Sequence, residues 1–315
     1  MRVPTRPRSA LFAALAASAL TLSACDSGGG GGGDVTLGFV NGGDTSFHTC
    51  LQKAIEQTAT AEKVKVYTAN SHQNPGTETS NIEDMISRNV SALIVQTVNV
   101  DSLKGDIAKA KAAKIPIYLT SVSTGDAADI LGAAVVDLGK VGALDAGWIA
   151  KDAGTENAEV GIVAGAPGAA SDLLVNGFKR ALPANAKVVA NQPGMFSPAK
   201  AQDVAQNMIE AHPGLDYAFV ANEEMAFGVR KAFDAAGHEN VEIVTVNGTD
   251  EGVAAVKSGE FSATVANSAE TIGDTAVRNT VGLIHRKQGV DKIADIPLVL
   301  VTQDNVSEAP QYCPE

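Results

Sequence analysis

From Val35 almost to the C-terminus, short β-branched apolar runs alternate with segments whose apolar residues recur every three or four positions. Val35–Val40, Val64–Tyr67, Ala92–Gln96, Ile115–Thr120 and Ile130–Ala134 read as strands, with helices over Leu51–Ala61, Thr79–Arg88 and Leu103–Ala113 between them. A second series follows: strands at Val160–Ala164, Val188–Asn191, Tyr217–Ala221, Ile243–Val246 and Ala263–Ala266. Its helices fall near Ser171–Ala181, Ala199–Ala211, Glu223–Ala236 and Asp250–Ser258. Runs that are apolar almost throughout suit parallel strands buried on both faces. Repeated strand–helix units imply an α/β fold of doubly wound parallel sheets. Ten strands overfill one compact sheet, so two similar lobes are expected.

The first 33 residues stand outside this rhythm. Arg2, Arg6 and Arg8 precede an Ala/Leu-rich run, Ser9 to Leu22, that is short for a membrane span and suits an export signal. It ends in Leu22-Ser23-Ala24-Cys25, which resembles a lipobox, the pattern in which the signal is cut before a Cys that carries lipid. A chance Cys after an ordinary signal is the alternative. Six glycines, Gly28 to Gly33, then form a linker with no side chains to bury. Residues 1–24 are therefore a signal peptide and 25–33 a flexible tether. The body is expected at the extracytoplasmic face of the cell membrane, anchored by lipid on Cys25. Removing the signal takes three arginines and no acid, which moves the net charge from −12 to −15. Such a body repels nucleic-acid phosphate and anionic lipid, so contact with membrane is expected through the anchor alone. Cys50 and Cys313 remain as a pair in an oxidising compartment, and a disulfide is favoured over two free thiols. It would tie the C-terminal tail to the first lobe.

In doubly wound sheets, ligands gather beyond the C-terminal strand ends. Those positions here are Asn41 to His48, Asn70 to Asn74, Ser121 to Thr124, Gly165 to Asp172, Met195 to Ser197, Asn222-Glu223, Asn247-Gly248 and Asn267. Amides, hydroxyls and carboxylates with a few rings suit a neutral polyhydroxylated ligand. Enzyme signatures do not occur. Gly38-Phe39-Val40-Asn41-Gly42-Gly43 departs from the dinucleotide fingerprint, and there is no nucleophile elbow or phosphate loop. The five histidines lack metal-ligand spacing, so neither a metal nor a cofactor is expected. Glu223-Glu224 reads as the acidic opening of a helix, since adjacent helical residues point in different directions.

At these residues the chain resembles the ribose/galactose branch of the type 1 periplasmic solute-binding proteins of ABC importers. Asn191-Gln192-Pro193, Ala211-His212-Pro213, Ala221 to Gly228, Asn247 to Gly252 and Val299 to Val306 carry the likeness. The resemblance implies two lobes joined by three crossing segments near Val135–Asp137, Asn267-Ser268 and Leu298–Thr302, with ligand held between them. Residues 34–136 plus 268–299 would form the N-terminal lobe, and 137–267 plus 300–315 the C-terminal lobe and tail. By position, Phe47, His48 and Phe196 match ring-bearing contacts, and Asn222, Asn247 and Asn267 match groups that bind sugar hydroxyls. Three departures matter. Ser121-Val122 stands where ribose-type members carry Asp-Arg, Ser171-Asp172 where they carry an Arg, and Asn247 where they carry an Asp. The ligand implied is a sugar or polyol other than ribose, such as inositol, with Ser121 in the cleft, or one whose amino group faces Asp172; alternatively Asp172 is an N-terminal helix residue with no ligand contact. A monomeric receptor delivering solute to an ABC permease and ATPase is the first expectation. A sensor subunit for a membrane kinase or chemoreceptor would use the same body.

Overall fold

A computed structural model of the chain describes residues 35–123 and 126–315. The expected signal peptide, the tether with Cys25, and Thr124 lie outside the described residues. The described residues form one compact unit built around two six-stranded sheets.

The first sheet contains β1 (Thr36–Asn41), β2 (Lys65–Asn70), β3 (Ala92–Val95), β4 (Ile117–Ser121) and β5 (Gly132–Val135), interleaved with α1 (Ser46–Ala61), α2 (Pro75–Ser87) and α3 (Val100–Ala112). After β5 comes α4 (Leu138–Ala153). The second sheet is then built from β6 (Ala158–Ala164), β7 (Ala186–Pro193), β8 (Tyr217–Val220), β9 (Glu242–Asn247) and β10 (Ala263–Ala266). Its helices are α5 (Ala169–Ala181), α6 (Pro198–Ala211), α7 (Glu223–Ala235) and α8 (Asp250–Ser258), followed by α9 (Ala269–Ile284). Two short late strands, β11 (Ile293–Asp295) and β12 (Val299–Val301), complete one sheet each. The strand orders are β11-β5-β4-β3-β1-β2 and β12-β10-β9-β8-β6-β7. Every described pairing is parallel except β10 with β12. The two-lobed, doubly wound α/β fold read from the sequence is the fold observed.

Helices α4 and α9 and strands β11 and β12 had no clear signature. Helix α4 carries Gly139, Gly142 and Gly147, which weaken helix propensity. Tertiary packing supplies the reason for Gly142, and for Gly177 of α5 facing it. A Cβ on Gly142 would strike the Leu174 carbonyl of α5, and one on Gly177 would strike the Gly139 backbone, so the two helices meet backbone to backbone.

The chain passes between sheets at 136–137, 267–268 and 296–298, because α4 packs on the second lobe and α9 on α1 and the first sheet. A fourth passage follows. Residues 303–308 form a 3-10 segment against α8, but the last residues return to the first lobe. There Cys313 is bonded to Cys50 of α1, Lys53 Nζ donates to the Pro314 carbonyl at 2.5 Å, and the Glu270 amide donates to the Tyr312 carbonyl at 3.0 Å. Residues 300–315 thus begin against the second lobe and end, as the tail, on the first.

Val141, Asp145 and Ile149 share one face of α4 at four-residue spacing, and all three are buried. Neither Asp145 carboxyl oxygen has a hydrogen-bond partner, and burial, with the Glu223 charge adding to it, holds the carboxyl well above the usual range. The unfolded chain loses this proton near pH 4 while the folded chain retains it, so Asp145 costs more stability as pH rises. Asp145→Asn is expected to raise Tm by about 2–4 °C at pH 7.5, with the gain shrinking toward pH 4. A scanning-calorimetry series showing no gain at neutral pH would contradict this.

Candidate functional site

The C-terminal ends of strands from both sheets converge on one cleft with a cavity volume of about 480 Å3. That size suits a small molecule held between domains. Of the eight ligand positions expected from sequence, Phe47, His48, Ser121, Phe196, Asn222, Asn247 and Asn267 line it. Asp172 does not. It is exposed on α5, and its neighbour Ser171 faces the cleft and is buried. One residue along a helix rotates a side chain by about 100°, which separates these two. In this arrangement Asp172 faces solvent, so the structure gives no support to an amino group bound through it.

Backbone geometry at the cleft is unusual. Ser121, Met195, Phe196 and Asn247 have φ of 64°, 61°, 52° and 137°, a region that side chains other than Gly rarely adopt. Such conformations persist where the surroundings dictate them, and they cluster at binding sites. For Phe196 the surroundings are visible: its ring lies against Gly165, where any Cβ would collide with it. Phe47 and His48 meet edge to face, with ring centroids 5.4 Å apart. His48 Nδ1 pairs with Thr45 Oγ1 at 2.8 Å, and burial pushes the imidazole down to about 4 against the opposing pull of Asp44. The ring is neutral at physiological pH.

Buried carboxylates hold the cleft loops. Glu78 of α2 accepts from Thr97 Oγ1 at 2.8 Å and from the Val98 amide at 2.5 Å, which fixes the loop after β3. Glu223 does the same after β9. It accepts from the Gly248 and Thr249 amides, both at 2.8 Å, and from the hydroxyls of Thr249 at 2.5 Å and Thr264 at 2.6 Å. Glu224 reaches the other lobe, accepting from the Ser46 amide at 2.8 Å. Thr45 gives α1 no side-chain cap, so this carboxylate supplies one from across the cleft. Sequence reasoning placed both acids on a helix N-terminus and missed these partners. No local pattern announces them, because every partner is distant in the chain.

Three amides have their oxygens committed inside the protein. Asn222 Oδ1 accepts from the Met225 amide at 3.0 Å, and Asn99 Oδ1 from the Asp101 and Ser102 amides at 2.9 and 3.1 Å. Gln96 Oε1 accepts from Thr120 Oγ1 at 2.6 Å. Asn99 and Gln96 were absent from the expected contacts, yet both line the cleft. Among the described residues no Asp, Glu, Lys or Arg lines it, and none forms a metal-binding cluster.

A model of the periplasmic binding protein domain matches residues 37–288. The chain belongs to this family. Its members are solute carriers rather than enzymes, and they work outside the cytoplasm. The ribose import binding protein of Salmonella typhimurium is 30% identical over 262 residues, 82% of this chain and 88% of that protein. The xylitol-binding protein of Mycolicibacterium smegmatis is 26% identical over 309 residues, 96% of this chain and 87% of that one. Among solved structures, an ABC transporter solute-binding protein from Bacillus halodurans with bound myo-inositol superposes with a TM-score of 0.83 at 23% identity. The match covers 89% of this chain and 98% of that one. This likeness is one of fold.

Proposed function

We propose that this solute-binding protein captures a small uncharged sugar or polyol other than ribose between its lobes and delivers it to an ABC permease and its ATPase. The observation that carries the reading is the cleft itself: two phenyl rings, one from each lobe, beside amides and hydroxyls with no charged side chain among the described residues. Ring faces pack on C–H groups while amides bind hydroxyls directionally. The relatives named for ribose and xylitol agree with that chemistry. Bound ligand would favour the closed arrangement in which Glu224 caps α1, by differential affinity for the two states. The crossings at 136–137, 267–268 and 296–298 would absorb the motion.

A thermal-shift screen of the secreted, disulfide-bonded protein against pentoses, hexoses and polyols tests this reading. Stabilisation by at least one is expected; stabilisation only by amino acids or nucleosides would overturn it. With the tightest sugar or polyol as titrant, Asp172→Ala is expected to leave Kd within about twofold. Asn222→Ala should weaken binding about tenfold or more, since it removes a cleft amide and the cap of α7 together. Equal effects of the two would mean that the lobes bind ligand in another arrangement.

The proposal extends to the address. The protein acts as a monomer on the outer face of the cell membrane, held by lipid on Cys25. Cys25→Ala is expected to release it from the membrane fraction, and retention of the variant there would remove the anchor.

A further inference from the structure

The first turn of α1 carries two ring-bearing cleft residues, Phe47 and His48, yet nothing in its own sequence caps it. Helices α2, α3, α4, α6, α7, α8 and α9 are each capped by the side chain of their own N-cap residue. In α1 the N-cap residue Thr45 pairs its hydroxyl with the His48 ring instead, 2.8 Å from Nδ1, and the first turn holds no acid. The preceding acid, Asp44, is committed to His72 Nδ1 at 2.7 Å and to Asn70 Nδ2 at 2.8 Å. The Ser46 amide is thereby left to Glu224 of the second lobe, at 2.8 Å.

Among the described residues this is the only hydrogen bond or ion pair that joins the lobes outside the crossing segments. Neither of its partners lines the cavity, so neither touches a ligand held there. Both partners adjoin residues that do. Ser46 immediately precedes Phe47 and His48. Glu224 lies in the first turn of α7, two residues after Asn222, which caps that helix and lines the cleft. The bond therefore ties one cleft-lining helix start to another, and the two belong to opposite lobes.

We propose that Glu224 is a positioning residue for ligand capture: by capping α1 across the cleft it fixes the turn that carries Phe47 and His48, and it does so only while the lobes are together. This rests on the solute-binding reading above and names a residue that sets affinity within it. As the lobes part, Glu224 leaves with α7, the Ser46 N–H returns to water, and the uncapped first turn is free to fray. Closure thus orders the rings at the moment they are needed. Ligand meets the open protein before the contact forms, so the contact acts on release rather than on capture.

Two measurements on the full, disulfide-bonded protein test the proposal, with the tightest pentose, hexose or polyol of the thermal-shift screen as probe. Isothermal calorimetry gives Kd, and a chase of radiolabelled probe gives the release rate. Glu224→Ala is expected to weaken Kd about fivefold or more and to speed release by the same factor, while ligand-free Tm stays within about 3 °C. Glu224→Gln, whose amide oxygen still accepts, should lie between that variant and the wild type. Ser46→Pro removes the donor where proline is tolerated, because Ser46 is the first helical residue and Thr45, at φ −68° and ψ 167°, suits the position before a proline. It should match Glu224→Ala, and the double variant should lie within about twofold of either. An unchanged Kd in Glu224→Ala overturns the proposal and leaves the sugar reading standing. So does a loss carried by association, a loss that multiplies in the double variant, or a larger fall in ligand-free Tm, each of which separates Glu224 from lobe closure. Binding of no sugar or polyol by the wild-type protein overturns both.

Discussion

Glu223→Ala will unfold more easily than the wild-type protein by about 3–5 kcal/mol in urea titrations, the largest single-residue effect expected here outside the hydrophobic core. The carboxylate is 1% exposed and accepts four hydrogen bonds. Its loss leaves the Gly248 and Thr249 amides buried without acceptors, while the two threonine hydroxyls can turn elsewhere. Glu223→Gln should fall between, because an amide offers one oxygen and brings two donors into a site made of donors. Binding should weaken as well. Asn247 at φ 137° and Gly248 at φ 79° are held in their turn by this carboxylate. A change below about 1 kcal/mol would show that the turn is held by other contacts.

Opening the Cys50–Cys313 bridge is the second large effect. The bond spans 263 residues, so it restricts nearly the whole unfolded chain. Its loss in the Cys50→Ser, Cys313→Ser double variant should cost about 2–5 kcal/mol. The tail then depends on non-covalent contacts: buried Tyr312, the Glu270–Tyr312 bond, and Ser268 Oγ donating to the Gln311 carbonyl at 2.5 Å. Ser268 follows the cleft residue Asn267 in a segment that crosses between lobes. Ligand affinity is therefore expected to drop a few-fold along with Tm. Unchanged affinity would mean that the crossing segment is set without the tail, and an unchanged Tm would remove the bridge as a stabilising element.

The legible parts of this protein follow from short-range rules. Strands such as Ala92–Val95 and Tyr217–Val220 are wholly buried, and that burial wrote itself as unbroken apolar runs. Cleft residues such as Asn222 and Asn247 were found because parallel sheets place ligands past their strand ends. Helix α4 was missed because its glycines answer to α5 rather than to helix propensity. Asp172 was misplaced because a choice between adjacent helical residues depends on the helix's rotation against the sheet. Gln96 and Asn99 were missed because a neutral amide in a loop looks the same whether it faces solvent or ligand.

The order of residues alone determined the two-lobed parallel α/β architecture and the loops from which the cleft is made, since both depend on periodicity and on the direction of strands. Only the tertiary structure decided how that cleft is tuned. It set Ser171 rather than Asp172 toward the cleft, put Glu223 under the β9 turn and gave Glu224 to the opposite lobe. It also brought the tail back to Cys50 and spent the oxygens of three amides on the protein itself. Each of these joins groups far apart in the chain or turns on a rotation of a fraction of a helical turn. A hydrogen bond acts over about 3 Å of space, and separation along the chain carries no trace of it.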